Sequence, residues 1–139
     1  MDLTKPLPVP TPTAAPFWEG LARHQVRLQR CNHCQAWIFY PRNRCPSCLS
    51  DVLRWHDVSG DGTVYTFTVS RQPTSPHFAD EVPQLLAVVA LDQGVRLTTT
   101  LVNVAPEAIH IGMKVKPYFD AVSDDVTLLR YQPASRAPR

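Results

Sequence analysis

The feature that most constrains this chain is its cysteine set. All four cysteines fall in one pattern: Cys31-Asn-His-Cys34, ten intervening residues, then Cys45-Pro-Ser-Cys48. Two CxxC turns so placed can offer four thiolates to one tetrahedral metal, and their tight backbone aims N–H groups at the sulfurs. The spacer, 35–44, suits a two-stranded excursion, with a strand at 37–40 and a turn through Pro41, Arg42 and Asn43. That is the pattern of a zinc ribbon. Iron also accepts four sulfurs in a tetrahedron, but nothing else in the chain resembles an electron-transfer protein, so zinc is the expectation. His33, inside the first turn, reads as an exposed side chain and not as a ligand. Disulfides are disfavoured because the N-terminus shows no secretory signal. Redox chemistry at Cys45 and Cys48 would need a helix opening there, and Leu49-Ser50-Asp51 does not continue as one. Four-sulfur coordination leaves no open position for water, so the site is structural. It also uses every thiol in the chain.

The rest of the chain reads as strands. Among 139 residues there are 14 prolines, about twice the usual share of ~5%, and interior prolines break helices. Residues 1–16 are Pro/Thr/Ala-rich and read as a flexible, extended tail, with 133–139 as a second one. Residues 14–22 can form one short helix, with Phe17, Trp18 and Leu21 on one face. Val26 and Leu28 alternate with polar residues on a strand that runs into Cys31. Beyond the cysteines, 52–58 leads into the Gly60-Asp61-Gly62 turn. Five strands are then expected at 63–71, 85–91, 95–104, 113–121 and 126–131. Tyr65, Phe67 and Val69 are expected on one inward face. The run at 85–91 reads as a central strand buried on both sides. A single helical turn opened by Pro106 separates the third strand from the fourth. This order is that of an OB-fold, a five-stranded Greek-key barrel, although small sandwiches share the pattern. The expected organisation is a helix and ribbon at 17–56 and an OB-fold at 57–132, a mainly β chain.

Charge and motifs narrow the function. Fourteen Lys+Arg against twelve Asp+Glu give a net +2. Residues 20–56, however, hold Arg23, Arg27, Arg30, Arg42, Arg44 and Arg54 against Asp51 alone. A zinc tetrathiolate with a net charge of about −2 would cancel part of that excess, which weakens a nucleic-acid reading. No apolar run exceeds the seven residues of 85–91, far short of the ~18 a membrane span requires. The expectation is a soluble, cytoplasmic protein. There is no GxSxG, HExxH, P-loop or dinucleotide fingerprint. His24, His56, His77 and His110 form no local acid–base pair, and Asp80-Glu81 and Asp124-Asp125 read as solvated turns. A self-sufficient enzyme is not expected.

With ribbon and strands in place, the chain resembles the DUF35 family, a rubredoxin-like zinc ribbon joined to an OB-fold and associated with acyl-CoA metabolism. The resemblance covers 16–131 and rests on FWEGL (17–21), RLQRC (27–31), YPRNRCPSC (40–48), VSGDGTVYTFTV (58–69), LDQGVRL (91–97) and IGMKV (111–115). One departure is Gln84, after Pro83, where relatives often carry tyrosine. The resemblance implies an accessory subunit of a thiolase-fold enzyme such as a steroid side-chain retro-aldolase, a thiolase or an acyltransferase. It implies a hetero-oligomer, a CoA thioester held jointly with the partner, and no catalytic residue on this chain. CoA phosphates need cations, and Arg42, Arg44 and Arg71 are the first candidates, with Lys114 and Lys116 as a second group. The long loop 72–83 is the candidate for partner or tunnel contact. The alternative is a single-stranded nucleic-acid-binding ribbon and OB-fold, which would stack bases on aromatic side chains. A free-standing acyl-CoA binder or thioesterase is a third reading.

Overall fold

The computed structural model describes residues 4–134. The expected tail residues 1–3 and 135–139 lie outside the described residues. An eight-residue helix, α1 (Ala15–Ala22), begins with Pro16 in its first turn and buries Phe17, Gly20 and Leu21. So short a helix does not hold in isolation, and packing fixes it. At Gly20 even a Cβ would come within 2.9 Å of the Arg27 stem and of the Gln25 carbonyl, so the helix backbone lies directly on the next strand.

That strand is β1 (Val26–Cys31), the centre of an antiparallel sheet flanked by β2 (Trp37–Ile38) and β3 (Leu53–Val58). Five further strands follow: β4 (Gly62–Ser70), β5 (Gln84–Leu91), β6 (Arg96–Thr100), β7 (Lys114–Ala121) and β8 (Thr127–Pro133). They form one antiparallel sheet in the order β6-β5-β4-β7-β8. Its ladders leave the sheet open between β6 and β8. The two ends are tied by a parallel bridge between Leu101 and Tyr131, with the Val102 N–H donating to the Tyr131 carbonyl at 2.8 Å. Thr99 Oγ1 adds a bond to the Leu129 carbonyl at 2.9 Å. This is the expected OB-fold connectivity, with one 3₁₀ turn, Pro106–Ala108, between the third and fourth of its strands.

The apolar core gathers Val64, Val89, Leu97, Val115 and Tyr131 from the barrel together with Leu28 from β1. Tyr131 is fully buried, and its hydroxyl donates to the Gly60 carbonyl at 2.6 Å. Gly60 has φ +78, and a Cβ there would meet Val26 at 2.6 Å and Pro117 at 2.7 Å. Only glycine fits this junction of ribbon and barrel.

Three expectations need correction. Tyr65 does not share a face with Phe67 and Val69. The β4–β5 register shifts between Val64 and Thr66, a bulge that turns Tyr65 outward to 49% exposure while Val64 and Phe67 both face the core. One inserted residue reverses the side-chain parity of a strand. Strand β5 is not buried on both sides: Ala87, Val89 and Leu91 are buried and the residues between them are half-covered. The loop 72–83 is also not featureless, because Pro76–Glu81 forms a 3₁₀ helix. Pro117 lies beyond the two-residue ladder of β7 with β4, where no β4 residue is paired with it.

Candidate functional site

The structure brings Cys31, Cys34, Cys45 and Cys48 together, with all four Sγ atoms within 4.8 Å of one another. Cys31 and Cys48 approach to 3.5 Å and Cys34 and Cys45 to 3.6 Å. With zinc–sulfur bonds of 2.3 Å, the edge of a tetrahedron is about 3.8 Å, so the cluster already has the size of a four-sulfur metal site. The two turns are built alike. In the first, the Gln35 N–H donates to the Cys31 carbonyl at 2.9 Å; in the second, the Leu49 N–H donates to the Cys45 carbonyl at 2.8 Å. Gln35 and Leu49 each take φ +67 to close the turn. The amides of His33 and Cys34 donate to Cys31 Sγ, and that of Ser47 to Cys45 Sγ, each at 3.4 Å.

These amides set the thiol acidities. The Cys34 amide, aided by that of His33, brings Cys31 down to about 6. Burial raises Cys45, but the amides of Cys48 and Ser47 outweigh it and leave the thiol lowered. Cys48 receives the Ser50 amide, which lowers it, yet burial and the three neighbouring sulfurs push it up to about 12. Cys34 is raised in the same way, against the amide of Ala36. Two thiols of low and two of high acidity cannot all ionise side by side unless a cation compensates them. The donor set therefore fits a divalent soft metal such as zinc, and it fits a closed structural site.

The cluster is tied to the rest of the chain by contacts that sequence reasoning missed. Gln29, read as an outward strand residue, is buried. Its Nε2 donates to the Arg42 carbonyl at 2.9 Å, and its Oε1 accepts from the Arg42 amide at 2.7 Å. This two-point bond pins the spacer between the cysteine turns. Spacer and helix are joined by aromatic contacts: Phe17 meets Phe39 edge-on at 5.6 Å and Tyr40 at 6.0 Å, and Trp18 Nε1 donates to the Tyr40 hydroxyl at 3.0 Å. On the other face, Arg30 lies over the Trp37 ring at 4.8 Å.

The three candidate CoA arginines are all exposed. Arg42 and Arg44 lie in the spacer, where Arg44 Nη1 donates to the Leu49 carbonyl at 3.2 Å. Arg71 follows β4 at the start of the long loop. Among the described residues, the Arg42 and Arg71 side chains enter no hydrogen bond or ion pair. Lys114 and Lys116 are exposed on β7, as their alternation indicated. Exposed apolar side chains also mark the ribbon, with Tyr40 at 44%, Leu49 at 68% and Val52 at 45%.

The long loop does more than its composition suggested. Glu81, read as part of a solvated turn, accepts from Lys5 at 2.6 Å, and Asp80 pairs with the same ammonium at 3.2 Å. Arg130 on β8 meets Asp120 at 2.7 Å and Glu81 at 3.9 Å. Lys5, Asp80, Glu81, Asp120 and Arg130 therefore form one ionic chain across the open end of the barrel. No sequence signal links them, because Lys5 and Asp80 are 75 residues apart. Among the described residues no helix is long and apolar enough to cross a membrane.

Comparison with known proteins identifies the same two modules. The family model described as ChsH2, rubredoxin-like zinc ribbon domain, matches residues 18–54. The one described as ChsH2, C-terminal OB-fold domain, matches 55–120. A DUF35 domain-containing scaffold protein of Methanocaldococcus jannaschii is 32% identical over 97 residues, covering 69% of this chain and 68% of that protein. A probable enoyl-CoA hydratase alpha subunit of Thermomonospora curvata is 36% identical over 119 residues. That match covers 85% of this chain but spans only 37% of the length of the hydratase subunit. Among solved structures, a chain of the Ltp2-ChsH2(DUF35) aldolase superposes with a TM-score of 0.82 at 32% identity, over 93% of this chain and 100% of that one.

Proposed function

Because the chain belongs to the DUF35 family, we infer that it is a non-catalytic accessory subunit of a thiolase-fold acyl-CoA enzyme. The partner would be a retro-aldolase, thiolase or acyltransferase, assembled with this chain as a hetero-oligomer. The observation that carries this reading is the similarity to a chain of the Ltp2-ChsH2(DUF35) aldolase, at 32% identity over 93% of this chain and all of that one. The chain's own chemistry agrees with it. All four cysteines are gathered in one closed cluster, where a structural zinc would serve to hold the ribbon in shape. The exposed Tyr40, Leu49 and Val52 would seat the ribbon against the partner, since apolar side chains displayed on so small a module favour burial at an interface. Arg42, Arg44 and Arg71 would then supply cations for the phosphates of the CoA thioester, held jointly with the partner.

The test is to assay the cognate thiolase-like chain with and without this one. The expected outcome is a loss of at least tenfold in activity, or loss of soluble partner, when this chain is omitted. Full activity of the partner alone contradicts the reading. In the complex, replacing Arg42, Arg44 and Arg71 together by alanine should raise KM for the CoA ester several-fold and leave kcat nearly unchanged. An unchanged KM removes those residues from the CoA site.

One observation favours a second reading. The bulge exposes Tyr65, and Arg96 lies over its ring at 3.9 Å, an arrangement on which an unpaired base can stack. A salt-dependent shift of single-stranded oligonucleotides by the isolated protein, abolished by Tyr65→Ala, would support nucleic-acid binding.

A further inference from the structure

The four sulfurs of the cluster are not equivalent toward solvent. Each cysteine turn opens with a fully buried residue, Cys31 or Cys45, and closes with a more open one: Cys34 is exposed and Cys48 half-buried. The amides divide in the same sense. Cys31 Sγ accepts the N–H groups of His33 and Cys34, and Cys45 Sγ accepts that of Ser47, all at 3.4 Å. Cys34 has the amide of Ala36 beside it. An N–H donated to a sulfur stabilises its charge and thereby lowers its nucleophilicity. A coordinating thiol is deprotonated outright, so in the metal-loaded protein it is exposure and amide bonding, and not ionisation, that decide which sulfur reacts. Both favour Cys34, which is flanked by the exposed side chains of His33 and Gln35. A second sulfur stands ready across the cluster: Cys45 Sγ, on the other turn, lies 3.6 Å from Cys34 Sγ.

We propose that Cys34 is a site of oxidative modification by hydroperoxides, with Cys45 as its resolving partner. In the first step the Cys34 thiolate attacks one peroxide oxygen: an S–O bond forms, the O–O bond breaks and hydroxide leaves, giving the sulfenic acid. In the second the Cys45 thiolate attacks the Cys34 sulfur: an S–S bond forms, the S–O bond breaks and a second hydroxide leaves. Two thiolates have then lost two electrons in all, and hydrogen peroxide has taken both. A dithiol reductant reverses the outcome. The disulfide withdraws two of the four sulfur donors, and a structural zinc site needs all four. The ribbon's own apolar cluster, Cys31, Ile38 and Cys45, is too small to hold its shape without the metal, so oxidation dissolves the ribbon and leaves the barrel folded. Release of a docked enzyme would follow, a consequence that rests on the accessory-subunit reading; the cysteine chemistry does not.

The test uses the full zinc-loaded chain, without a partner, and hydrogen peroxide as the oxidant. Zinc release is followed with a chromogenic chelator, and the oxidised cysteines are located by tandem mass spectrometry of tryptic peptides. The expected product is a Cys34–Cys45 disulfide, which joins the peptide 31–42 to the peptide 45–54, formed at the same rate as zinc is released. Substoichiometric N-ethylmaleimide should label Cys34 before any other cysteine. Cys34→His keeps a structural zinc set of three cysteines and one histidine and removes the reactive sulfur, so it should slow peroxide-driven release roughly tenfold or more. Cys48→His makes the same ligand exchange at the half-buried position and should release zinc at nearly the unaltered rate. Equal slowing in the two variants overturns the proposal, as does a disulfide confined to one turn or a first maleimide on Cys31, Cys45 or Cys48. If either histidine variant fails to load zinc, the order of maleimide labelling and the disulfide map of the unaltered chain decide the matter by themselves.

Discussion

The ribbon and the barrel hold their shapes by opposite means. The barrel cluster contains eleven buried residues, nearly all aliphatic. The ribbon's own cluster contains three, Cys31, Ile38 and Cys45, and two of these are thiols of the metal cluster. The first region is organised by apolar packing, whereas in the second a few turns of backbone are organised around sulfur. Strand β1 connects the two regimes, because Leu28 enters the barrel core while Cys31, three residues on, faces the sulfur cluster.

The sharpest way to break this comparison is to remove one sulfur. Metal ligation supplies folding free energy that so small a core cannot. Cys45→Ser should therefore lose stoichiometric zinc and the ribbon's amide protection in hydrogen exchange, while the protection of β4 and β5 persists. Loss of both regions together would show that the barrel depends on the metal as well. The next largest effect is expected for Leu28→Ala. Truncating a leucine this buried costs about 2–5 kcal/mol, and the loss should appear in barrel and ribbon alike. A loss confined to the ribbon would contradict the role of β1 as the shared element.

Smaller effects sharpen the picture inside each region. Tyr131→Phe leaves the Gly60 carbonyl without its partner and should cost the barrel about 1–3 kcal/mol. The pH dependence supplies a second readout. Burial pushes the pKa of the Tyr131 phenol above its usual value, and the Asp61 and Asp92 charges push it further up. A group whose folded-state value lies above the unfolded one, ~10 for tyrosine, stabilises fully below pH 10 and loses that contribution as pH rises beyond it. Chemical denaturation between pH 9 and pH 11 should show a downward slope that Tyr131→Phe reduces. The smallest expected effect, and one of opposite sign, is at Leu49, 68% exposed at φ +67. A left-handed backbone costs an L-residue roughly 1–2 kcal/mol, so Leu49→Gly should raise the thermal midpoint of the zinc-loaded protein slightly. Since Leu49 is also a proposed partner contact, the same variant should weaken the complex.

The two regions differ as much in legibility. The ribbon could be read from four cysteines because its ligands are local and their spacing carries the geometry. Strand order in the barrel was legible too, since alternation and turn residues are local signals. What escaped depended on distant partners. Tyr65 faces outward because β4 bulges against β5, and no alternation within β4 reveals the extra residue. Gln29 is buried because the Arg42 backbone, thirteen residues on, satisfies its amide. Lys5, Glu81 and Arg130 come from three remote segments and meet only when the barrel's open end is built. In each case a polar or aromatic side chain was read from its neighbours in sequence, while its environment is set by groups far along the chain.

The most direct test of the accessory role is affinity purification of the tagged chain from its native cells, with co-eluting proteins identified by mass spectrometry. The DUF35 reading predicts a thiolase-like enzyme chain in near-stoichiometric amount. Recovery of this protein alone, or with nucleic acid and no enzyme partner, would contradict it.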